Sequence, residues 1–378
     1  MNLDGPVVLW VAATLAALGV VGSAVLLPRT SRSTRGLAAR LVTQVGVSGL
    51  VLLLAGVVLN DQYGFYTGWS DLFGQGGPQQ VTASGEAAGR ALQAHAAGSG
   101  SAGLTGPTGG ALPALPDPGQ RLQSFVVRGA RSGLTGTVLV SLPTTYAEPS
   151  EATRTYPVIE AFQGYPGSPA MWMQDMDLVP TLDAMAAVGH AARTIVVSPQ
   201  VEFPAGRDTE CVDGGGEQPQ VETWVSEDVP RFLAAHLRVR TDRASWATIG
   251  LSFGGWCAAM VTMLHPDLFG SAIVLSGYFE PDFGSSYRPF TATGSTGRRY
   301  DLVATAAKAP PPVALWMFTS KADGLSYPSS RALLHAARSP MSVTSVVQLD
   351  SGHRMSVWVA ALPEALRWLT ATSPGFAA

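Results

Sequence analysis

Residues 246–265 read WATIGLSFGGWCAAMVTMLH: an apolar, β-branched run, then Gly250-Leu251-Ser252-Phe253-Gly254, then a stretch rich in helix formers. This order predicts a strand that turns sharply into a helix, with Ser252 at the corner. In a G-x-S-x-G turn the serine is held in a strained backbone conformation. A Cβ at Gly250 or Gly254 would collide with neighbouring backbone. The five-residue pattern recurs by chance; set between strand and helix, it marks Ser252 as a candidate nucleophile. The competing reading is a glycine-rich turn with an incidental serine.

A serine hydroxyl is a poor nucleophile at neutral pH and needs a base, and where a strand–turn–helix carries the serine the chain order is serine, acid, histidine. His353, in LDSGHRMSVW beyond the last predicted strand, sits in a loop able to swing an imidazole over the turn. His265, in LHPDLF, ends the helix after the turn and reads as a cap or packing group, while His335 falls in a helical run and reads as surface. The acid that orients the base should follow a sheet strand, and Asp323 in FTSKADGLSY follows PVALWMF at the expected place. Glu280 and Asp282, after GSAIVLSG, are rivals, and Asp350 reads as local loop structure. A developing oxyanion needs two donors. The elbow supplies the backbone N–H of Phe253, and the loop Gln163-Gly164-Tyr165-Pro166-Gly167 after YPVIEAF offers that of Tyr165, because Pro166 has none. An ordinary Pro-Gly turn is the alternative for that loop.

Around this centre, from Gln120 to the end, short β-rich runs (SFVVRG, TGTVLVSL, YPVIEAF, RTIVVSP, WATIG, GSAIVLSG, PVALWMF, SVVQL) alternate with helical stretches, which predicts an α/β domain at 120–378. The first two runs are close enough to pair as an antiparallel hairpin; the later ones need helical crossovers and should lie parallel and buried. Residues 61–119 read differently. Tyr63, Phe65, Tyr66, Trp69 and Phe73 suit aromatic rings at a headgroup level or a short packed helix. From Gly76 to Gly119, Gly, Ala, Ser, Pro and Gln dominate and predict a linker, with AAGRALQAHAA as a weak helix.

At the N-terminus, residues 6–27 and 41–60 are uncharged runs long enough to span a bilayer, forming an anchor over 1–60. The linking PRTSRSTRGLAAR carries Arg29, Arg32, Arg35 and Arg40 and no acid, which places it inside the cell and all that follows outside. A signal peptide is a poorer reading, because Asp4 is the only charge before the first run. The 378 residues are 46% hydrophobic and 13% charged with a formal charge of −3, which excludes a disordered coil. That arginine loop is the one basic cluster, so nucleic acid is not an expected partner. No metal-ligand cluster or nucleotide loop is present in the sequence, and no cofactor is expected.

With these residues in view, Gln120 to Leu369 resembles the putative esterase family of α/β-hydrolases, which includes esterase D, enterochelin esterases and the antigen 85 mycolyltransferases. GLSFGGWCAAMVTMLHPDLFGSAIVLSG is similar to the family's elbow, helix and next strand, and SGHRMSVW to its histidine motif, with Trp358 after His353. The resemblance implies an α/β-hydrolase fold, a Ser252–Asp323–His353 triad, and an oxyanion hole at Tyr165 and Phe253. It departs from antigen 85 in having Asp323 where a glutamate is expected and two added spans. On those two departures mycolyl transfer does not carry over, and FQGYPG stands where a DG-L-R type of oxyanion loop is expected.

Cys211, in RDTECVDGGG, and Cys257, on the elbow helix, can be joined if the loop after RTIVVSP folds towards the turn, and an oxidising compartment permits the bridge. Two unpaired thiols are the alternative. Met171, Trp172, Met173 and Met176 suit core packing before an acyl-chain contact, as do Trp256 and Trp358. Together these readings predict a multi-pass, membrane-tethered serine hydrolase acting outside the cytoplasm on a small-molecule, lipid or glycolipid ester. Transfer of the acyl group to an envelope hydroxyl is one alternative. A catalytically idle module that binds lipid or a partner protein is another.

Overall fold

The computed structural model describes residues 6–29, 33–73, 79–84, 104, 112–117, 119–285 and 287–378. Arg32 and most of the glycine-rich stretch, including AAGRALQAHAA, lie outside the described residues. The chain forms two compact units. The larger comprises Gln80–Thr319, Gly324–Val347 and Met355–Ala378; the smaller comprises the chain to Gln79 with Ser320–Asp323 and Gln348–Arg354. This division differs from boundaries drawn on composition, because two short loops late in the sequence group with its beginning.

The larger unit is built on a nine-stranded sheet: β1 (Gln79–Ser84), β2 (Leu122–Arg128), β3 (Thr135–Ser141), β4 (Val158–Phe162), β5 (Ile195–Pro199), β6 (Trp246–Leu251), β7 (Ser271–Leu275), β8 (Ala314–Ser320) and β9 (Ser342–Gln348). The spatial order is β1-β9-β8-β7-β6-β4-β5-β3-β2. β2 and β3 form the expected antiparallel hairpin, Leu122 opposite Ser141, and β3 pairs antiparallel with β5. β5, β4, β6, β7 and β8 run parallel. All five residues of VIEAF, IVVSP and SAIVL are buried, as strands covered on both faces must be.

Strand alternation sends Val158, Phe162, Val197, Val274 and Met317 to one face, where they pack with the helix Phe253–Leu264. Ile159, Ala161, Val196, Ile249, Ile273 and Phe318 go to the other, against the helix Met355–Thr372. Met176 and Trp172 are buried in this second layer with Met171 and Met173 packed at its margin, so these side chains are core. The glycine-rich stretch holds two features that its composition hid. QQVTAS forms β1, and Leu104 is buried in the first core layer with Leu115 packed against it.

In the smaller unit, α1 (Pro6–Leu26) and α2 (Thr34–Tyr63) lie side by side, Gly19 against Leu50. Both are long and apolar enough to cross a membrane. The second helix begins well before the uncharged run at 41–60, so Arg35 and Arg40 are helical rather than in a loop. The Ser33 hydroxyl explains the early start, for it caps the helix by accepting from Gly36 N at 3.2 Å. After α2 comes α3 (Trp69–Leu72), a single turn, with Trp69 stacked on Phe73 and both rings exposed.

Candidate active site

Ser252 stands between β6 and the helix Phe253–Leu264 with φ 54° and ψ −124°. A side chain in this left-handed region is strained and needs its surroundings to hold it there. Those surroundings are backbone. Ser252 N donates to Leu275 O of β7 at 2.8 Å, and Ser252 O accepts from Gly255 N at 2.9 Å. A Cβ on Gly250 would overlap the carbonyl of Gly254, and one on Gly254 would overlap those of Phe162 and Gln163. The elbow helix therefore sits hard against the end of β4, which the two glycines alone permit.

The loop after β4 passes beside this turn. A Cβ built on Gly164 would lie 3.8 Å from Ser252 Cβ and 2.7 Å from Leu251 Cδ1, so the candidate oxyanion loop and the elbow are neighbours. The ring of Tyr165 meets that of Phe253 edge-on at 6.2 Å, and its hydroxyl donates to Gly206 O at 3.1 Å. The buried carboxylate of Glu202 accepts from Gly167 N at 2.9 Å and from Gly206 N at 2.8 Å, tying the loop after β4 to the loop after β5. That second loop is fixed in turn by a Cys211–Cys257 disulfide reaching the elbow helix. Beside it Trp256 Nε1 donates to Glu210 O, and Tyr278 OH donates to Glu210 Oε1, each at 2.7 Å. Burial pushes the Glu210 carboxyl well above the usual carboxylate range, and burial, together with the nearby Glu202 and Asp282 charges, raises Asp208 to about 6.

Asp323 and His353 come together in the smaller unit, on the loops that follow β8 and β9. His353 Nδ1 lies 2.8 Å from Asp323 Oδ2, and Asp323 is 8% exposed. A carboxylate oxygen accepts, so a neutral imidazole making this contact donates from Nδ1. The turn holding Asp323 is closed by Asp323 N donating to Ser320 O at 3.0 Å, while Ser320 Oγ accepts from Ser351 N at 3.2 Å. One serine thus links the acid's loop to the histidine's.

The rivals sit elsewhere. Glu280 and Asp282 are exposed and line a cavity of about 590 Å³ with Tyr278, Asp301 and Leu325. Asp350 accepts from Thr67 Oγ1 at 2.8 Å. His265 caps the elbow helix and binds the buried Glu222 at 2.7 Å, and His335 is exposed. Trp256 is buried and stacked on Tyr278; Trp358 donates from Nε1 to Ser276 Oγ at 3.0 Å. Composition and spacing carried no sign of Glu202 or Ser320, which join loops through backbone groups on other parts of the chain, Gly167 N and Ser351 N.

The Putative esterase family model matches residues 131–369. The chain belongs to this family. Among solved structures, a ferulic acid esterase aligns with a TM-score of 0.52 at 18% identity, over 66% of this chain and 97% of that one. The S-formylglutathione hydrolase of Agrobacterium tumefaciens aligns with a TM-score of 0.52 at 17% identity, over 67% and 95%. The fluorophosphonate-binding serine hydrolase F of Staphylococcus aureus gives 0.52 at 14%, over 66% and 97%. At these identities the likeness is one of fold, the α/β-hydrolase fold. A curated relative, an uncharacterized protein of Corynebacterium glutamicum, is 33% identical over 129 residues, which span 34% of this chain and 30% of that protein. The family assignment is to esterases, and the solved structures share the fold.

Proposed function

We propose that this esterase is anchored in a membrane by α1 and α2 and hydrolyses a carboxylic ester on the extracytoplasmic side through Ser252, His353 and Asp323. The observation that carries the reading is the left-handed backbone of Ser252 at a strand-to-helix turn closed by Gly250 and Gly254, a strained conformation of the kind that clusters at active sites. The hydrogen bond between Asp323 and His353 supplies the matching base. In the reaction, Ser252 Oγ attacks the acyl carbonyl while His353 Nε2 takes its proton. The N–H groups of Phe253 and Tyr165 receive the oxyanion. The intermediate collapses as His353 returns the proton to the leaving alcohol, and water, activated by the same imidazole, releases the acid from the acyl-enzyme. Asp323 holds the ring and offsets the imidazolium charge.

Two independent features support the sidedness. Arg29, Arg35 and Arg40 flank the link between the helices, the side that faces the cytoplasm under the positive-inside bias. The Cys211–Cys257 bridge belongs to an oxidising compartment. The substrate class is a small or lipid-borne ester reached from outside the cell. Membranes carrying the full-length protein should hydrolyse short p-nitrophenyl esters and lose that activity on Ser252→Ala. Equal turnover by the two would overturn the assignment of the nucleophile.

A further inference from the structure

Within the smaller unit, the loop that carries His353 is built onto the segment that leaves α2. The helix ends at Gly64, in the left-handed conformation at φ 63°, whose N–H donates to Asn60 O. Asn60 then holds the departing chain by its side chain: Nδ2 donates to Tyr66 O at 2.9 Å, and Tyr66 N donates to Oδ1 at 2.7 Å. Onto this folded stub the histidine loop lays its own backbone. His353 N donates to Gly64 O at 2.9 Å. Gly352 lies so close that a Cβ there would overlap the carbonyl of Phe65, a contact that only glycine allows.

Side chains complete the joint. Arg354 grips Asp71 with both guanidinium arms, Nη2 to Oδ1 at 2.6 Å and Nη1 to Oδ2 at 2.8 Å, and Nη1 also donates to Phe65 O at 2.9 Å. Its guanidinium lies 4.7 Å above the ring of Tyr66. Asp71 is 1% exposed and the Arg354 side chain 16%. Thr67 N donates to Asp71 Oδ2, and Thr67 Oγ1 donates to Asp350. A shielded, bidentate pair of this kind holds geometry more firmly than an exposed one, and removing one partner leaves the other charge buried and uncompensated.

We propose that residues 64–73 are part of the catalytic apparatus, with Asp71, through Arg354, acting as a positioning residue that sets the imidazole of His353 for proton transfer. The membrane hairpin then supplies more than an anchor, because the end of α2 is the base on which the histidine loop is seated. This inference rests on the reading of His353 as the general base. A base displaced by about an ångström loses proton transfer far more than it loses ester binding, so the expected signature is in kcat.

The test uses the full-length protein in detergent or nanodiscs, a short p-nitrophenyl ester, and the rate of fluorophosphonate labelling at Ser252. Asp71→Asn and Arg354→Gln should each lower kcat roughly 100-fold with KM within about threefold, and labelling should slow by the same factor. The double variant should be no worse than either single, as expected of one coupled pair. Val126→Ala, an exposed side chain on β2, should stay within about twofold of wild type. Should the charge variants fail to fold, Thr67→Val, which leaves the ion pair in place, decides: a several-fold loss of kcat at unchanged KM is expected. Folded Asp71→Asn or Thr67→Val with wild-type kcat overturns the proposal while leaving the triad standing. So does a loss of activity that merely tracks a collapsed thermal transition in all variants. Absence of labelling in the wild type overturns instead the triad on which the proposal rests.

Discussion

At Ser252 a non-glycine residue is held at φ 54°, which costs about 1–3 kcal/mol. Ser252→Gly should therefore raise the stability of the fold by about 1 kcal/mol, read from the thermal midpoint, while abolishing ester turnover. A destabilised glycine variant would mean the backbone is not strained there. Asp208 gives a pH dependence. Burial, its largest influence, raises the carboxyl to about 6 from an ordinary 3.8. The folded state therefore holds that proton more tightly than the unfolded chain. Its contribution to stability is full below pH 3.8 and is lost as pH rises through about 6. Asp208→Asn should match wild type near pH 4 and exceed it by about 1 kcal/mol at pH 8, a figure reduced for partial exposure. A difference that is the same at both pH values would contradict this. Ser252, Asp323 and His353 could be singled out in the sequence because each stands in a loop just past a recognisable strand. Glu202 and Asp71 could not, since each works on backbone or charge far away in the chain and neither interrupts a pattern.

Among the elements, the elbow is the most demanding. Gly254→Ala would drive a Cβ into the carbonyls of Phe162 and Gln163, and backbone there cannot yield without parting the helix from β4. Loss of turnover together with about 3 kcal/mol or more of stability is expected; an active, stable Gly254→Ala would show the close approach to be dispensable. The disulfide closes a separation of 46 residues, for which the chain-entropy model gives about 4 kcal/mol. Replacing both cysteines with alanine should lower stability by up to about that amount in chemical denaturation, and an unchanged midpoint would contradict it. The parallel strands were legible because apolar runs such as VIEAF and SAIVL suit a sheet buried on both faces. β1 was not: QQVTAS is polar, short and set in glycine-rich sequence, and pairing rather than composition makes it a strand. The start of α2 was missed for a related reason, since a search for uncharged residues passes over Arg35 and Arg40 whereas the cap at Ser33 depends only on a hydroxyl.

For the molecule as a whole, the proposed arrangement makes a topological prediction. In a variant with both native cysteines removed, a single cysteine at Ser31 should resist an impermeant thiol reagent in intact cells, and one at Ser101 should react. The reverse pattern would invert the orientation. The central claim, a nucleophilic Ser252 driven by His353, is met most directly by mass spectrometry of the full-length protein after exposure to a fluorophosphonate. One adduct on the peptide bearing Ser252 is expected, absent in Ser252→Ala and forming at least roughly 1000-fold more slowly in His353→Ala. No adduct, an adduct on another residue, or an undiminished rate without His353 would contradict it.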